Sequence, residues 1–305
     1  HEGSGPRSDR RAQRGRNGRG FRDRRQPLGA IPRFLPAVIT LPAVASPPDF
    51  EFLRVERTDD DVVIATLDRP KVNALDTALL LEIGDLAEAC HAEPPGALVL
   101  TGGGRHFAAG ADLTVFADPA TRQAQGNAFR VGFAALETVP CPTLAAVNGF
   151  ALGGGAELAM CCDFRIAGEG AVLGQPEVLL GLIPGGGATQ RLARLVGVTK
   201  AKELIWGGAQ VKAAEALVIG WVDEVVPDDE VLERAVERAT GYARGPRVAL
   251  RASKRAIDEG IQGTLADGVD LELDLFMEVF ESEDAANGVA SFFEHGPGRA
   301  TFRGR

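Results

Sequence analysis

The chain has four cysteines, four histidines and a single tyrosine among its 305 residues. Nowhere do its apolar residues run for the 18 or so positions that a membrane span needs. The cysteines, Cys90, Cys141, Cys161 and Cys162, show no C-x-x-C spacing and lie in apolar or helical contexts. They read as reduced packing residues of a cytoplasmic protein, and no paired Cys/His spacing suggests a metal site. G-x-S-x-G, H-E-x-x-H, the P-loop and G-x-G-x-x-G are all missing. A serine hydrolase, a zinc peptidase and a dinucleotide enzyme therefore lack support. Tyr242, the one tyrosine, lies far along the chain from any glycine-rich loop, which argues against a tyrosyl acid.

Lysine is absent from residues 1–48, which carry ten arginines and only three acids. That segment is net positive, and the remaining body is strongly acidic, since the whole chain carries −9. An acidic body argues against nucleic acid as the main partner. Residues 10–25 alternate arginine with glycine and polar residues and show no apolar period, so disorder is expected across the 1–48 extension. Glu2, Asp9 and Asp23, together with few serines, fit a disordered tail better than a mitochondrial transit peptide.

Beyond it, about 250 residues suffice for a substantial core. Phe50 to Thr58 and Val62 to Leu67 alternate around Asp59-Asp60-Asp61 and read as a hairpin. Asp76 to Cys90 has a helical period with Asp76 as its cap. Ala97 to Thr101 is a buried strand, and residues 121–137 form an amphipathic helix. Strand and short helix alternate through residues 143–173, which argues for an α/β architecture. From Ala188 the pattern turns to helices at 188–196, 199–206, 212–219, 228–243, 246–259, 264–281 and 283–295, with a short strand at Trp221 to Val226.

The chemistry gathers around Asn148-Gly149-Phe150-Ala151-Leu152-Gly153-Gly154-Gly155-Ala156-Glu157-Leu158. An apolar strand precedes these residues and a small apolar helix follows. Three successive glycines let backbone approach backbone or ligand without a Cβ between them. The helix that starts there points its first N–H groups, which lack intrahelical partners, at whatever fills the turn. Such donors suit a carbonyl oxygen that must become negative. Glu157 sits in that first turn. Twenty positions on, Pro176 suits the first position of a helix and sets Glu177 in another first turn. Each glutamate alone is an ordinary acid at a helix N-terminus, favoured by the dipole. Partial burial of the two near each other is expected to raise at least one pKa, so that one donates while the other accepts.

Four segments in order and spacing resemble the crotonase superfamily, specifically its enoyl-CoA hydratases. They are Phe107-Ala108-Ala109-Gly110-Ala111-Asp112, Asn148 to Asp163, Gly174-Gln175-Pro176-Glu177, and Ile183 to Leu192. The resemblance covers roughly residues 50 to 305. It implies a spiral of repeated ββα units over residues 49–245, carrying a CoA-ester site. It also implies a helical region over residues 246–305 that assembles a homotrimer or a dimer of trimers. The implied oxyanion hole is the pair of backbone N–H groups of Ala111 and Gly154, with Glu157 and Glu177 as the catalytic acids. Glu157 would be the base toward water and Glu177 the donor to C2. Val72 and Ala74 would lie along adenine and pantetheine, near Ala109. Arg69, Lys71 and Arg105 flank the loops that would face the nucleotide end of CoA. Asp112, beside them, reads as a cap for the helix that follows. His106, next to that loop, reads as structural. After Phe292-Phe293-Glu294 the sequence lacks the basic run frequent in the family, leaving Arg299 or Arg303 as replacements.

The implied reaction is addition of water to a trans-2-enoyl-CoA. It needs no metal and no redox cofactor, because CoA arrives with the substrate. Alternatives are a Δ3,Δ2-enoyl-CoA isomerase, which needs the same oxyanion hole but one carboxylate, and a CoA-ester-binding protein without catalysis. Nucleic-acid binding through the arginine-rich extension is a further alternative, with steep salt dependence as its signature.

Overall fold

The computed structural model describes residues 50–305 and His1. The expected disorder of the 1–48 extension falls outside the described residues. The chain is α/β, as its alternation of strands and helices predicts. A hairpin opens it, β1 (Leu53–Arg57) antiparallel to β2 (Val62–Leu67), with Asp61 at φ +65 closing the aspartate turn. Helix α1 (Thr77–Ala92) is capped by Asp76, whose carboxylate accepts the Leu79 N–H. Next come β3 (Ala97–Thr101), a 3-10 turn (Leu113–Phe116), α2 (Pro119–Glu137) and β4 (Thr143–Val147).

Two ββα-like units follow. The first is β4, β5 (Phe150–Leu152) and α3 (Gly154–Met160); the second is β6 (Phe164–Gly168), β7 (Val172–Gly174) and a 3-10 turn (Pro176–Leu180). Each unit gives its first strand to one sheet and its second to another. A six-stranded sheet, β1-β2-β3-β4-β6-β9, is parallel from β2 onward, and β5, β7 and β8 form a smaller one. The remaining strands are β8 (Gln210–Lys212) and β9 (Glu224–Val226). This is the expected spiral of ββα units.

Strand β3 is buried at all five positions because it serves two cores. Leu98 and Leu100 face α1, α2 and α3, whereas Ala97 and Val99 face α7 (Val231–Ala243) through Val231, Ala235, Ala239 and Ala243. Between them lie α4 (Ala188–Val196), α5 (Val198–Gly207) and α6 (Ala213–Val218). The chain ends in α8 (Arg247–Gly260), α9 (Leu265–Val279) and α10 (Glu283–His295). Helix α8 is tied to the sheet by Lys254, whose ammonium donates to Asp163 at 2.8 Å. All three helices expose large apolar side chains: Ile257 and Ile261 at the end of α8, Leu265, Leu273 and Phe276 on α9, and Phe292 and Phe293 on α10.

Several local expectations differ from the structure, the helix expected from 228 starting only at Val231. The Gln175–Glu177 segment enters a 3-10 turn rather than an α-helix, stopped after five residues by Gly181 in the left-handed region. Residues 210–212 are a strand, so the helix expected from 212 starts at 213. Only 224–226 of the expected 221–226 segment is strand; Trp221 is instead fully buried as a core filler.

Candidate active site

The segment 107–112 is laced to its neighbours by backbone hydrogen bonds. Phe107 and Ala108 donate to the carbonyls of Asn148 and Phe150, and Leu152 donates back to Ala108 at 3.1 Å. Farther on, Leu75 donates to the Gly110 carbonyl and accepts from the Asp112 N–H, so Leu75 and Ala111 form a single parallel bridge. The Ala111 N–H has no acceptor among the described residues. Gly154, first residue of α3, is in the same situation, since a helix leaves its opening N–H groups unpaired. A Cβ on Gly153, which has φ +50, would lie 3.9 Å from the Gly110 Cα. The two donor-bearing loops are thus in contact. At Gly155 a Cβ would sit 2.0 Å from the Ala108 carbonyl oxygen, so no other residue lets the helix approach this closely.

Glu157 follows in the first turn of α3 and is only 2% exposed. Its Oε1 accepts the N–H groups of Gly186 and Ala188 at 2.9 and 2.8 Å. Burial pushes its pKa up to about 7; the two N–H donors oppose that rise, and the Glu177 charge adds to it. Glu177, second residue of its 3-10 turn, is half-buried, and burial raises its pKa too. A Cβ at Gly153 would be 2.9 Å from Glu177 Oε1, which sets this carboxylate against the Gly-rich turn. Gln175, fully buried, turns its amide NH2 toward Glu177 and donates at 3.0 and 3.3 Å. Both carboxylates and both unpaired N–H groups therefore adjoin one turn. A carboxyl raised to about 7 beside a second one also raised by burial lets one give a proton while the other takes one.

Among the other sequence-derived residues, Val72 and Ala109 are joined by a backbone bond of 3.0 Å, and Val72, Ala74 and Ala109 are partly exposed. Lys71 and Arg105 are exposed, and neither has a carboxylate partner among the described residues. Arg69 differs. Its guanidinium is spent on the Ala74 carbonyl at 2.9 Å and on Asp112 and Asp76 at 2.8 and 3.0 Å. Asp112 caps the 113–116 turn, accepting from the Thr114 hydroxyl and N–H. That hydroxyl first, and Arg69 after it, hold the Asp112 carboxyl below the usual range. His106 stacks on Phe150 at 4.6 Å and accepts its N–H through Nδ1, so it acts as a neutral structural ring. Among the described residues no group of three or more His, Cys, Asp or Glu is placed to hold a metal ion.

Sequence reasoning missed several residues that build this site. Asn73, buried with φ +52, donates to the carbonyls of Gly102, Phe107 and His106 and so ties the 69–75 loop to the 102–107 loop. Asparagine tolerates that backbone region, which was the available signal. Gln125 of α2, fully buried, donates to the Leu75 carbonyl at 2.8 Å. Arg191 lies in the 183–192 segment, but its pairing with Glu137 near Glu157 gave no local signal, because the two lie 54 residues apart in sequence.

A family model described as enoyl-CoA hydratase/isomerase matches residues 57–303. A crotonyl-CoA hydratase from Syntrophomonas wolfei is 41% identical over 241 residues, covering 77% of this chain and 93% of that protein. A short-chain-enoyl-CoA hydratase from Clostridium acetobutylicum is 42% identical over 240 residues, covering 76% and 91% respectively. Among solved structures, an enoyl-CoA hydratase from Bacillus anthracis superposes with a TM-score of 0.79 at 37% identity, over 84% of this chain and all of that one.

Proposed function

The chain belongs to the enoyl-CoA hydratase/isomerase family, and from that premise we propose that it adds water reversibly, in syn fashion, to a trans-2-enoyl-CoA, giving a 3-hydroxyacyl-CoA. The observation that carries the reading is the meeting of two raised carboxylates, Glu157 buried and Glu177 half-buried, with two unpaired N–H groups at one turn. The thioester oxygen accepts from the N–H groups of Ala111 and Gly154 and takes up enolate charge as water attacks C3. Glu157 takes the proton from that water, and Glu177 delivers one to C2. Its Oε1 held by two N–H groups, Glu157 keeps Oε2 for water. The pair ends with its proton count unchanged, so no cofactor is consumed, and CoA departs as part of the product.

The adenine and pantetheine of CoA run along Val72, Ala74 and Ala109. Lys71 and Arg105 meet its phosphates, their exposed charges lacking carboxylate partners among the described residues. Arg69 and Asp112 serve this loop from within, bracing it through their ion pair. Residues 49–245 form the catalytic core. Residues 246–305 pack against other copies in a homotrimer or dimer of trimers, a reading supported by the exposed Leu265, Phe276, Phe280 and Phe293. The four free, buried cysteines suit the cytoplasm. No described helix is long and apolar enough to cross a membrane.

The decisive experiment follows loss of enone absorbance over a panel of 2-enoyl-CoA chain lengths, beside its gain on a 3-enoyl-CoA. Hydration of at least one 2-enoyl-CoA, much faster than conversion of the 3-enoyl-CoA, is the expected result. No turnover on any of them would leave a CoA-ester-binding protein.

A further inference from the structure

Behind Glu157 lies a second ion pair that the reaction as described does not use. Arg191 of α4 binds Glu137, the last residue of α2, in a two-pronged contact: Nε to Oε1 at 2.8 Å and Nη2 to Oε2 at 2.6 Å. Its third arm, Nη1, donates to the Gly186 carbonyl at 2.8 Å. The N–H of that same Gly186 holds Glu157 Oε1, and the N–H of Ala188, two residues on, holds it again. A continuous path therefore runs from Glu137 through Arg191 and Gly186 to the buried carboxylate. A planar guanidinium is the group for such a task, because it serves a carboxylate and a carbonyl at once in fixed directions.

We propose that Arg191, oriented by Glu137, is a positioning residue that fixes the Gly186–Ala188 cradle on Glu157 and sets the proton affinity of that carboxylate. Two charges act on Glu157 from the packed elements, Glu177 from the 3-10 turn and Arg191 from α4. Glu137 of α2 pairs with Arg191 beyond it, and the neutral Cys161 thiol lies at the end of α3. Glu177 raises the Glu157 pKa and Arg191 lowers it. Glu137 sits on the far side of Arg191 and offsets part of its charge. Removing Arg191 and removing the Glu137 charge should therefore move Glu157 in opposite directions, a result that mere loosening of the fold cannot give.

The role in catalysis rests on the proposed hydration, so one readout is independent of turnover. Carbon-detected NMR titration of 13C-glutamate-labelled protein, with Glu157→Gln to assign the resonance, follows Glu157 itself. Arg191→Gln should raise its pKa by about one pH unit, and Glu137→Gln should lower it by a smaller amount. The acidic limb of kcat/KM should follow in the same two directions. Arg191→Lys keeps the charge but cannot serve both partners. It should leave the titration in place while kcat falls about tenfold and KM stays within about threefold.

Shifts of the same sign in Arg191→Gln and Glu137→Gln, or no shift in either, would overturn the proposal. Should Arg191→Gln not fold, Glu137→Gln decides alone: a downward shift supports the coupling, and an unmoved resonance removes it. A wild type that turns over no enoyl-CoA, with opposite shifts still present, refutes the reaction and keeps the electrostatic coupling.

Discussion

Leu75 and Ala111 meet in a parallel bridge only one residue long. Leu75 donates to the carbonyl before Ala111, at Gly110, and accepts from the N–H after it, at Asp112, at 2.8 and 2.9 Å. In a parallel ladder the N–H of the intervening residue points the other way. The Ala111 N–H is therefore turned outward by the same pairing that fixes its loop. Gln125 and Asn73 then anchor the loop from below, through the Leu75 and Phe107 carbonyls at 2.8 and 3.0 Å. A donor that is both unpaired and rigid is what stabilises a developing oxyanion without reorganisation.

Gly154 tests this directly. Gly154→Pro removes one donor at a position where proline suits the opening of a helix. Turnover on a 2-enoyl-CoA should fall about 10²–10³-fold. Gly154→Ala is the control, because it keeps the N–H while its Cβ meets the Phe129 ring at 3.0 Å. If both variants lose activity equally, crowding against Phe129 explains the loss, and Gly154 has no part in the oxyanion hole.

What the sequence made legible follows from how locally each feature is encoded. Helices α4 and α10 match expectation to the residue because Gly187, Gly197, Ser282 and Gly296 mark their ends. The Glu157 and Glu177 turns were legible for the same reason, with glycines and Pro176 announcing them. Strand β8 was missed: three residues carry no period, and its pairing with β7 is a tertiary event. Arg69 was read for its charge alone, as a phosphate contact, yet its partner Asp112 lies 43 residues away and occupies the guanidinium. Asn73, Gln175 and Arg191 share that difficulty. Their importance lies in which distant carbonyl or carboxylate they reach, and no local pattern records it.

Stability should carry the imprint of Glu157. Its pKa is raised from 4.5 to about 7 in the folded chain, so the carboxylate is the form that burial penalises. The stabilising contribution of the protonated group is complete below about pH 4.5 and is lost as pH rises through about 7. Glu157→Gln removes this titration. Above pH 7 the variant should be more stable than wild type by roughly 3 kcal/mol, several degrees in Tm, with the gap closing toward pH 5. Thermal melts from pH 5 to 8 measure it. A variant less stable than wild type at pH 8 would show that the carboxylate is stabilised, not strained, by its cradle.

The two glutamates also separate hydration from double-bond migration. Glu157→Gln and Glu177→Gln keep the shape of each side chain while abolishing one acid–base function. Such groups are commonly worth about 10²–10⁴ in rate. Addition of water needs one carboxylate to take a proton and another to give one, so both variants should fall steeply on a 2-enoyl-CoA. Migration of a double bond needs only one carrier between C2 and C4, and by family resemblance that carrier is Glu177. In that case Glu157→Gln would keep most of its activity on a 3-enoyl-CoA, and the wild type would hydrate poorly. The tie between Glu157 Oε1 and the Gly186 and Ala188 N–H groups gives the comparison its force. The glutamine carbonyl can accept the same two bonds, so the cradle stays in place and the loss reports the missing proton chemistry. A wild type that prefers the 3-enoyl-CoA, together with a nearly silent Glu157→Gln, would assign the chain to isomerisation and leave Glu157 as a structural acid.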